Sequence, residues 1–256
     1  MLPIIISAPH ACTTIRDKKI RERIALNDEQ IWKMSDPFTD RLEFFDCAAE
    51  KHCAPTHRIL SDFNRAPGVG AFREKDFFGN PIFRKNSVFT ESEKREILQN
   101  NWFPYHEKII ASVQKLENEG AEKILLIDLH NTSGDHALNK KRDYMPALVL
   151  SNLGGSCGRH PFLSFPQKNL TELCDNISQK LKIAVETNYI FHGGYEIMWF
   201  SHLPEKLAPR ARLFALQIEY NSNLVANPLT RELSETALED LYRGLDAAIG
   251  ETYASL

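Results

Sequence analysis

Two histidines and one glutamate occupy the kind of position from which α/β proteins do chemistry. His10 follows the apolar run Pro3 to Ala8, in Ser-Ala-Pro-His-Ala. His130 closes Ile-Leu-Leu-Ile-Asp-Leu-His-Asn, and Glu219 closes Leu-Phe-Ala-Leu-Gln-Ile-Glu-Tyr. In an open α/β sheet, ligands bind just beyond the carboxyl ends of the strands. A lone histidine there also reads as an ordinary hydrogen-bonded loop residue. Two of them, each ending a buried strand, bring a shared metal ion into equal consideration. Asp128 lies two residues before His130 and so on the same strand face, where it is placed to take the free imidazole N–H. Glu219 is costly to bury unless it is paired or functional. Desolvation would raise its pKa toward the range of a general base, while a structural salt bridge is the plain alternative. Asp62-Phe63-Asn64-Arg65 supplies a guanidinium, whose planar fork fits a carboxylate, although a surface-loop arginine reads the same way.

Five apolar runs read as the strands that position these groups: Pro3 to Ala8, His57 to Leu60, Lys123 to Leu129, Pro146 to Ser151 and Leu213 to Ile218. Near-continuous apolar strands are buried on both faces, as in a parallel sheet covered by helices. Helical patterns lie between them. Asp36 to His52 opens on Asp-Pro, an N-cap followed by a favoured first helical residue. Glu91 to Glu119 should break at Pro104. Leu170 to Leu181 and Glu232 to Leu256 complete the set. The expected fold class is α/β. It is a single domain over residues 1–256, with a mixed, mostly parallel β-sheet flanked by helices on both faces. Asp62 to Ser87, rich in Gly, Pro, Phe and Arg, is too long for a plain connection and reads as a functional loop.

The charge balance is 31 basic against 34 acidic residues, net −3, which argues against nucleic acid as a partner. Five cysteines with no CxxC spacing argue against a disulfide framework and fit reduced thiols in the cytoplasm. The first apolar run lacks the basic lead of a signal peptide, and no stretch is long and apolar enough to span a membrane. A small anionic substrate is the expected partner, and the oligomeric state is open.

Read in order, the motifs resemble the N-formylglutamate amidohydrolase family along nearly the whole chain. They are Pro9-His10, Ser35-Asp36-x-x-Thr39-Asp40-x-Leu42, Asp62-x-Asn64-Arg65 and Gly79-x-Pro81-Ile82-Phe83-Arg84. Pro104-Tyr105-His106, Asp128-Leu129-His130, Gly193-Gly194-Tyr195 and Gln217-Ile218-Glu219-Tyr220 follow. That family is distantly similar to zinc carboxypeptidases and aspartoacylases and implies their phosphorylase/hydrolase-like fold. The resemblance implies that His10 and His130 bind one zinc ion (Co, Mn or Fe being alternatives). It implies that Asn64 and Arg65 hold a substrate carboxylate or carbonyl, and that Glu219 activates water to cleave the amide of an N-formyl-type acidic amino acid. The carboxypeptidase pattern has a glutamate three residues after the first histidine, where this chain has Thr13. Asp36 is therefore the expected third ligand, with Asp40 one helical turn later as alternate. Arg84 is a second candidate for the substrate's carboxylates. Tyr195, His106 and His192 are candidate pocket residues, and Gly193-Gly194 suggests a close backbone approach. Ala11-Cys12 and Asn131 depart from the family's usual residues beside the two histidines. Other readings are a related amidase on another N-acyl amino acid or peptide, a cysteine hydrolase using Cys12 or Cys157, and a non-catalytic ligand-binding member.

Overall fold

In the computed structural model, which describes residues 1–133, 144–154 and 163–256, six strands form one sheet. They are β1 (Leu2–Ala8), β2 (Ala48–Cys53), β3 (Lys123–Thr132), β4 (Leu148–Ser151), β5 (Val185–Thr187) and β6 (Arg212–Asn221). Their order is β2-β1-β3-β6-β4-β5. The first four run parallel, β4 is antiparallel to β6, and β5 is parallel to β4. The carboxyl ends of β1, β3 and β6 therefore open on the same edge. The mixed, mostly parallel α/β sheet expected from the apolar runs is the one observed.

Helices α1 (Lys18–Arg23), α2 (Asp28–Lys33), α3 (Glu91–Ile97), α4 (Phe103–Asn118), α5 (Gln167–Leu181), α6 (Tyr195–Ser201), α7 (Leu203–Leu207) and α8 (Glu235–Ser255) connect and cover the strands. Because strand side chains alternate, each central strand feeds two cores. Ile4, Ile6, Leu125, Ile127, Leu216 and Ile218 pack against α5 and α8. Ile5, Ile124, Leu126 and Ala215 face the other way, against α4 and α6. Each fully buried Leu or Ile contributes roughly 1.5–3 kcal/mol, so these two layers hold the strand ends in register. A third cluster, with Ile24, Ile31, Met34, Ile59, Ile82 and Phe83, lies under the irregular segment before α3.

Three of the expected elements differ in the structure. Asp36 to His52 is not a helix. Phe38 adopts a positive φ of 71°, which ends any helix at once, and the segment holds one 3-10 turn (Leu42–Phe44) before β2. His57 to Leu60 is a turn rather than a strand, because its apolar residues Ile59 and Leu60 are buried without sheet pairing. The second strand is instead Ala-Ala-Glu-Lys-His-Cys, whose poor strand propensity is overridden by pairing with β1. Pro104 does not break the long helix either. A π-turn at Leu98–Trp102 precedes it, and the proline falls in the first turn of α4, where its missing N–H costs little.

Candidate metal centre and substrate cavity

His10 sits two residues past β1, and His130 is the eighth residue of β3. Their Nδ1 atoms face each other at 3.2 Å. Asp36 Oδ2 lies 2.7 Å from His130 Nδ1 and 3.4 Å from His10 Nδ1. All three side chains are buried, and their donor atoms fall within 4.8 Å of one another. Asp36 reaches this point from an irregular segment, pinned from both sides. Its N–H donates to His10 O, and its carbonyl accepts from Thr39 Oγ1. Asn131 Nδ2 donates to Pro37 O, and Tyr242 Oη donates to Phe38 O. Asp40 is exposed and stands outside the cluster.

The outward nitrogens of both rings are taken by carboxylates. His10 Nε2 lies 2.8 Å from Asp62 Oδ1, and His130 Nε2 lies 2.8 Å from Asp128 Oδ1 and 2.9 Å from Asn64 Nδ2. With the proton on Nε2, each ring turns an Nδ1 lone pair toward the common point. This is how carboxylate partners fix the tautomer of a ligating histidine. Asp62 is fully buried and held by Arg58 at 2.7 Å and Arg73 at 3.2 Å. Burial opposes its charge, but Arg58, His10 and Arg73 outweigh burial and keep it well below the usual carboxylate range. Asp36 likewise stays ionised, as its two histidines overcome burial. Burial would discharge His130, yet Asp128 and Asp36 hold its pKa well above that of free histidine.

Asn64 ties this centre together. Its Nδ2 donates to Asp128 Oδ2 at 3.1 Å, and its Oδ1 accepts the Glu196 N–H at 2.7 Å. Gly194 lies against the same amide, so close that a Cβ there would come within 2.2 Å of Asn64 Nδ2. The backbone approach expected of Gly193-Gly194 is therefore made on Asn64. Glu196 itself is wholly buried, and neither carboxyl oxygen meets the geometry of a hydrogen bond among the described residues. Burial, then Asp128, raise its pKa well above the usual value.

Glu219 is paired in register with His130 across β3 and β6. Its Oε2 accepts from Gln217 Nε2 at 3.2 Å, and burial raises its pKa well above that of a free glutamate. A cavity of about 680 Å³ opens over these groups, lined by His10, Asp36, Asn64, Arg65, His130 and Glu219 among others. Arg58, Arg73, Lys33 and Arg231 also line it, and each is paired with Asp62 or Glu29. Arg65 is exposed and, among the described residues, has no carboxylate partner.

Three expected site residues, Arg84, Tyr195 and His106, fall outside the cavity lining. Arg84 is exposed, with its N–H bonded to Arg23 O beside the Ile24–Phe83 bridge. Tyr195 stands at the start of α6 and packs with Trp102 and His106. His106 is buried against Trp102, and His192 lines the cavity. The cysteine alternative finds no support in Cys12, Cys47, Cys53 or Cys174, none of which lines the cavity. Burial also pushes the Cys53 thiol up to about 11. Cys157 lies outside the described residues. Asp62, Arg58 and Arg73 were not singled out from sequence. The Asp62 signal was there in Asp-x-Asn-Arg, whereas Arg58 was hidden in a run read as a strand.

Polar side chains converge at the carboxyl edge of a parallel-centred sheet, where α/β proteins bind ligands, and sequence comparison gives the class as an amidohydrolase. The chain belongs to the N-formylglutamate amidohydrolase family, whose profile matches residues 2–226. A solved structure of N-formylglutamate amidohydrolase from Ralstonia eutropha superposes with a TM-score of 0.76 at 20% identity, covering 100% of this chain and 95% of that one. A gene product of Agrobacterium tumefaciens superposes with a TM-score of 0.68 at 15% identity, covering 99% and 91% respectively. At these identities the likeness is one of fold. No curated protein matches the chain.

Proposed function

We propose that this chain is a metal-dependent amidohydrolase that cleaves the amide of an N-acyl amino acid, N-formylglutamate being the type substrate of its family. The convergence of His10, Asp36 and His130 carries the reading. Two imidazole nitrogens and one carboxylate oxygen, with both outer imidazole nitrogens against carboxylates, fit the three-ligand set of a catalytic zinc site that keeps an open position. A zinc ion held by His10, Asp36 and His130 would supply Lewis-acid polarisation of the scissile carbonyl and a lowered pKa for the attacking water.

The chain's own residues supply the rest. Glu219 takes the proton from the attacking water and returns it to the departing amine nitrogen. Burial raises its pKa above that of a free glutamate, which makes it a stronger base. Arg58 is buried between Asp62 and Asp36, lines the cavity, and has an Nε–H with no partner among the described residues. It is the cation poised to steady the oxyanion that forms as the carbonyl is attacked. Arg65 pairs with the substrate carboxylate.

The test is metal content with turnover. Native protein should hold about one zinc ion per chain, lost in His10→Ala and His130→Ala. Glu219→Gln should keep the metal and lose at least about a hundredfold in kcat, the low end for general-base catalysis. Native protein that takes up no metal refutes the mechanism.

A further inference from the structure

The cavity is larger than the family's type substrate needs. N-formylglutamate has about a dozen non-hydrogen atoms. At about 30 Å³ each, the liquid share of a water molecule, these fill at most about 360 Å³ of the roughly 680 Å³ available. Much of the remaining wall is aromatic: Trp32, Phe38, Phe77, Phe78 and Phe191 all line it.

Two of these rings are presented on a rigid turn. Asp76 is buried, and its carboxylate accepts the Phe78 N–H at 2.9 Å, the Asn80 N–H at 2.8 Å and Asn80 Nδ2 at 2.8 Å. The turn is closed by Gly79 at φ 90° and by the Lys75–Pro81 bridge. Phe78 is 58% exposed at its tip. Phe77 lies under the guanidinium groups of Arg58 and Arg73, at 5.4 and 5.0 Å. Trp32, also in the lining, packs edge-on to Phe38 at 6.2 Å and carries Arg231 at 5.2 Å. Holding large apolar rings at a site mouth on such a fixed support is the mark of a surface built to be covered by ligand.

The charges point the same way. A glutamyl substrate brings two carboxylates. Of the arginines and lysines lining the cavity among the described residues, only Arg65 is not already paired with a protein carboxylate.

We infer that the site takes N-acyl amino acids with an aromatic side chain, the α-carboxylate on Arg65 and the ring among Phe77, Phe78 and Trp32. This rests on the amidohydrolase reading for turnover, but not for binding.

The experiment compares N-formyl-L-phenylalanine with N-formyl-L-glutamate on the zinc-loaded protein, by turnover and by calorimetric binding of the products L-phenylalanine and L-glutamate. The expected result is a kcat/KM for the phenylalanine substrate at least equal to that for the glutamate one. The ratio of the two should fall about fivefold or more in Phe78→Ala, an exposed turn position whose loss leaves the fold intact. L-Phenylalanine should also bind more tightly than L-glutamate. Tighter phenylalanine binding without turnover of either substrate upholds the inference and sinks the hydrolase reading. Preference for glutamate in both assays, or a ratio unmoved by Phe78→Ala, overturns the inference and leaves the hydrolase reading standing.

Discussion

Replacing Gly194 by alanine tests how the candidate metal centre is held. Gly194 has φ −97° and ψ −176°, a conformation open to any residue, so the backbone raises no objection to a methyl group. The objection is steric. The new Cβ would meet Asn64 Nδ2 at 2.2 Å, Oδ1 at 2.4 Å and Cγ at 2.6 Å, which forces the amide aside. Asn64 then loses its bond to the Asp128 carboxylate and its bond from the Glu196 N–H. A hydrogen bond to a charged group contributes about 1.5–3 kcal/mol and a neutral one about 0.5–1.5, so the variant should lose about 2–4 kcal/mol of stability. Asp128 faces His130 Nε2, and disturbing such a partner typically costs about 10–100-fold in metal affinity. Urea denaturation and zinc titration of Gly194→Ala, Asn64→Ala and the double variant form a thermodynamic cycle. With Asn64 already truncated, the methyl group has room and should cost less than about 0.5 kcal/mol. An equal cost in both backgrounds, or none in the first, refutes the steric account.

Three further outcomes are expected. His57 and His106 are buried, and burial brings both rings down to about 4 from 6.5. Their folded pKa is depressed, so their contribution is full above pH 6.5 and is lost as pH falls toward 4. It amounts to about 3 kcal/mol each, and denaturation of His57→Gln should show a shallower acid slope than the native chain. Because His57 Nδ1 accepts the Ile59 N–H at 3.1 Å and Nε2 donates to Ile31 O at 3.0 Å, its NMR titration should show no midpoint near 6.5. Arg65→Ala should raise KM about tenfold or more with little change in kcat, read by steady-state kinetics on a carboxylate-bearing N-acyl amino acid. A fall in kcat alone would assign Arg65 to the chemistry instead. Glu196→Gln, which keeps the shape of the side chain, should stay within about 0.5 kcal/mol of native stability, whereas Glu196→Ala opens a buried cavity and should cost about 2 kcal/mol or more.

The strands bearing the site were legible because they are buried on both faces. Ile-Leu-Leu-Ile-Asp-Leu-His can hardly be anything but a central strand ending in a polar group, and β6 reads the same way. His10, His130 and Glu219 followed from that. Asp36 does come together with the two histidines, but not from a helix start: tertiary hydrogen bonds from Asn131 and Tyr242 to the next two carbonyls pin the segment as a turn. Nothing local in Ala-Ala-Glu-Lys-His-Cys announces β2, which exists because β1 offers it an edge. Arg58 and Asp62 were missed as a pair because their partnership is defined by His10, far away in sequence. Asn64 and Gly194 illustrate the same point. Each is recognisable as a motif residue, but what they do is press on one another, and no spacing along the chain encodes that.

The strand order also splits the chain in time. β2, β1 and β3 make up one side of the sheet and come wholly from the first 132 residues, while β6, β4 and β5 make up the other side and begin at residue 148. His10, Asp36 and His130 all belong to the part that leaves the ribosome first, and Glu219 to the part that leaves last. The topology therefore lets the histidine–aspartate cluster close while synthesis is still under way. The group proposed to move the proton arrives only when β6 docks along β3 through ten paired residues. On the proposed mechanism, a nascent chain stalled before β6 would already hold the residues proposed to bind the ion but not the proposed base.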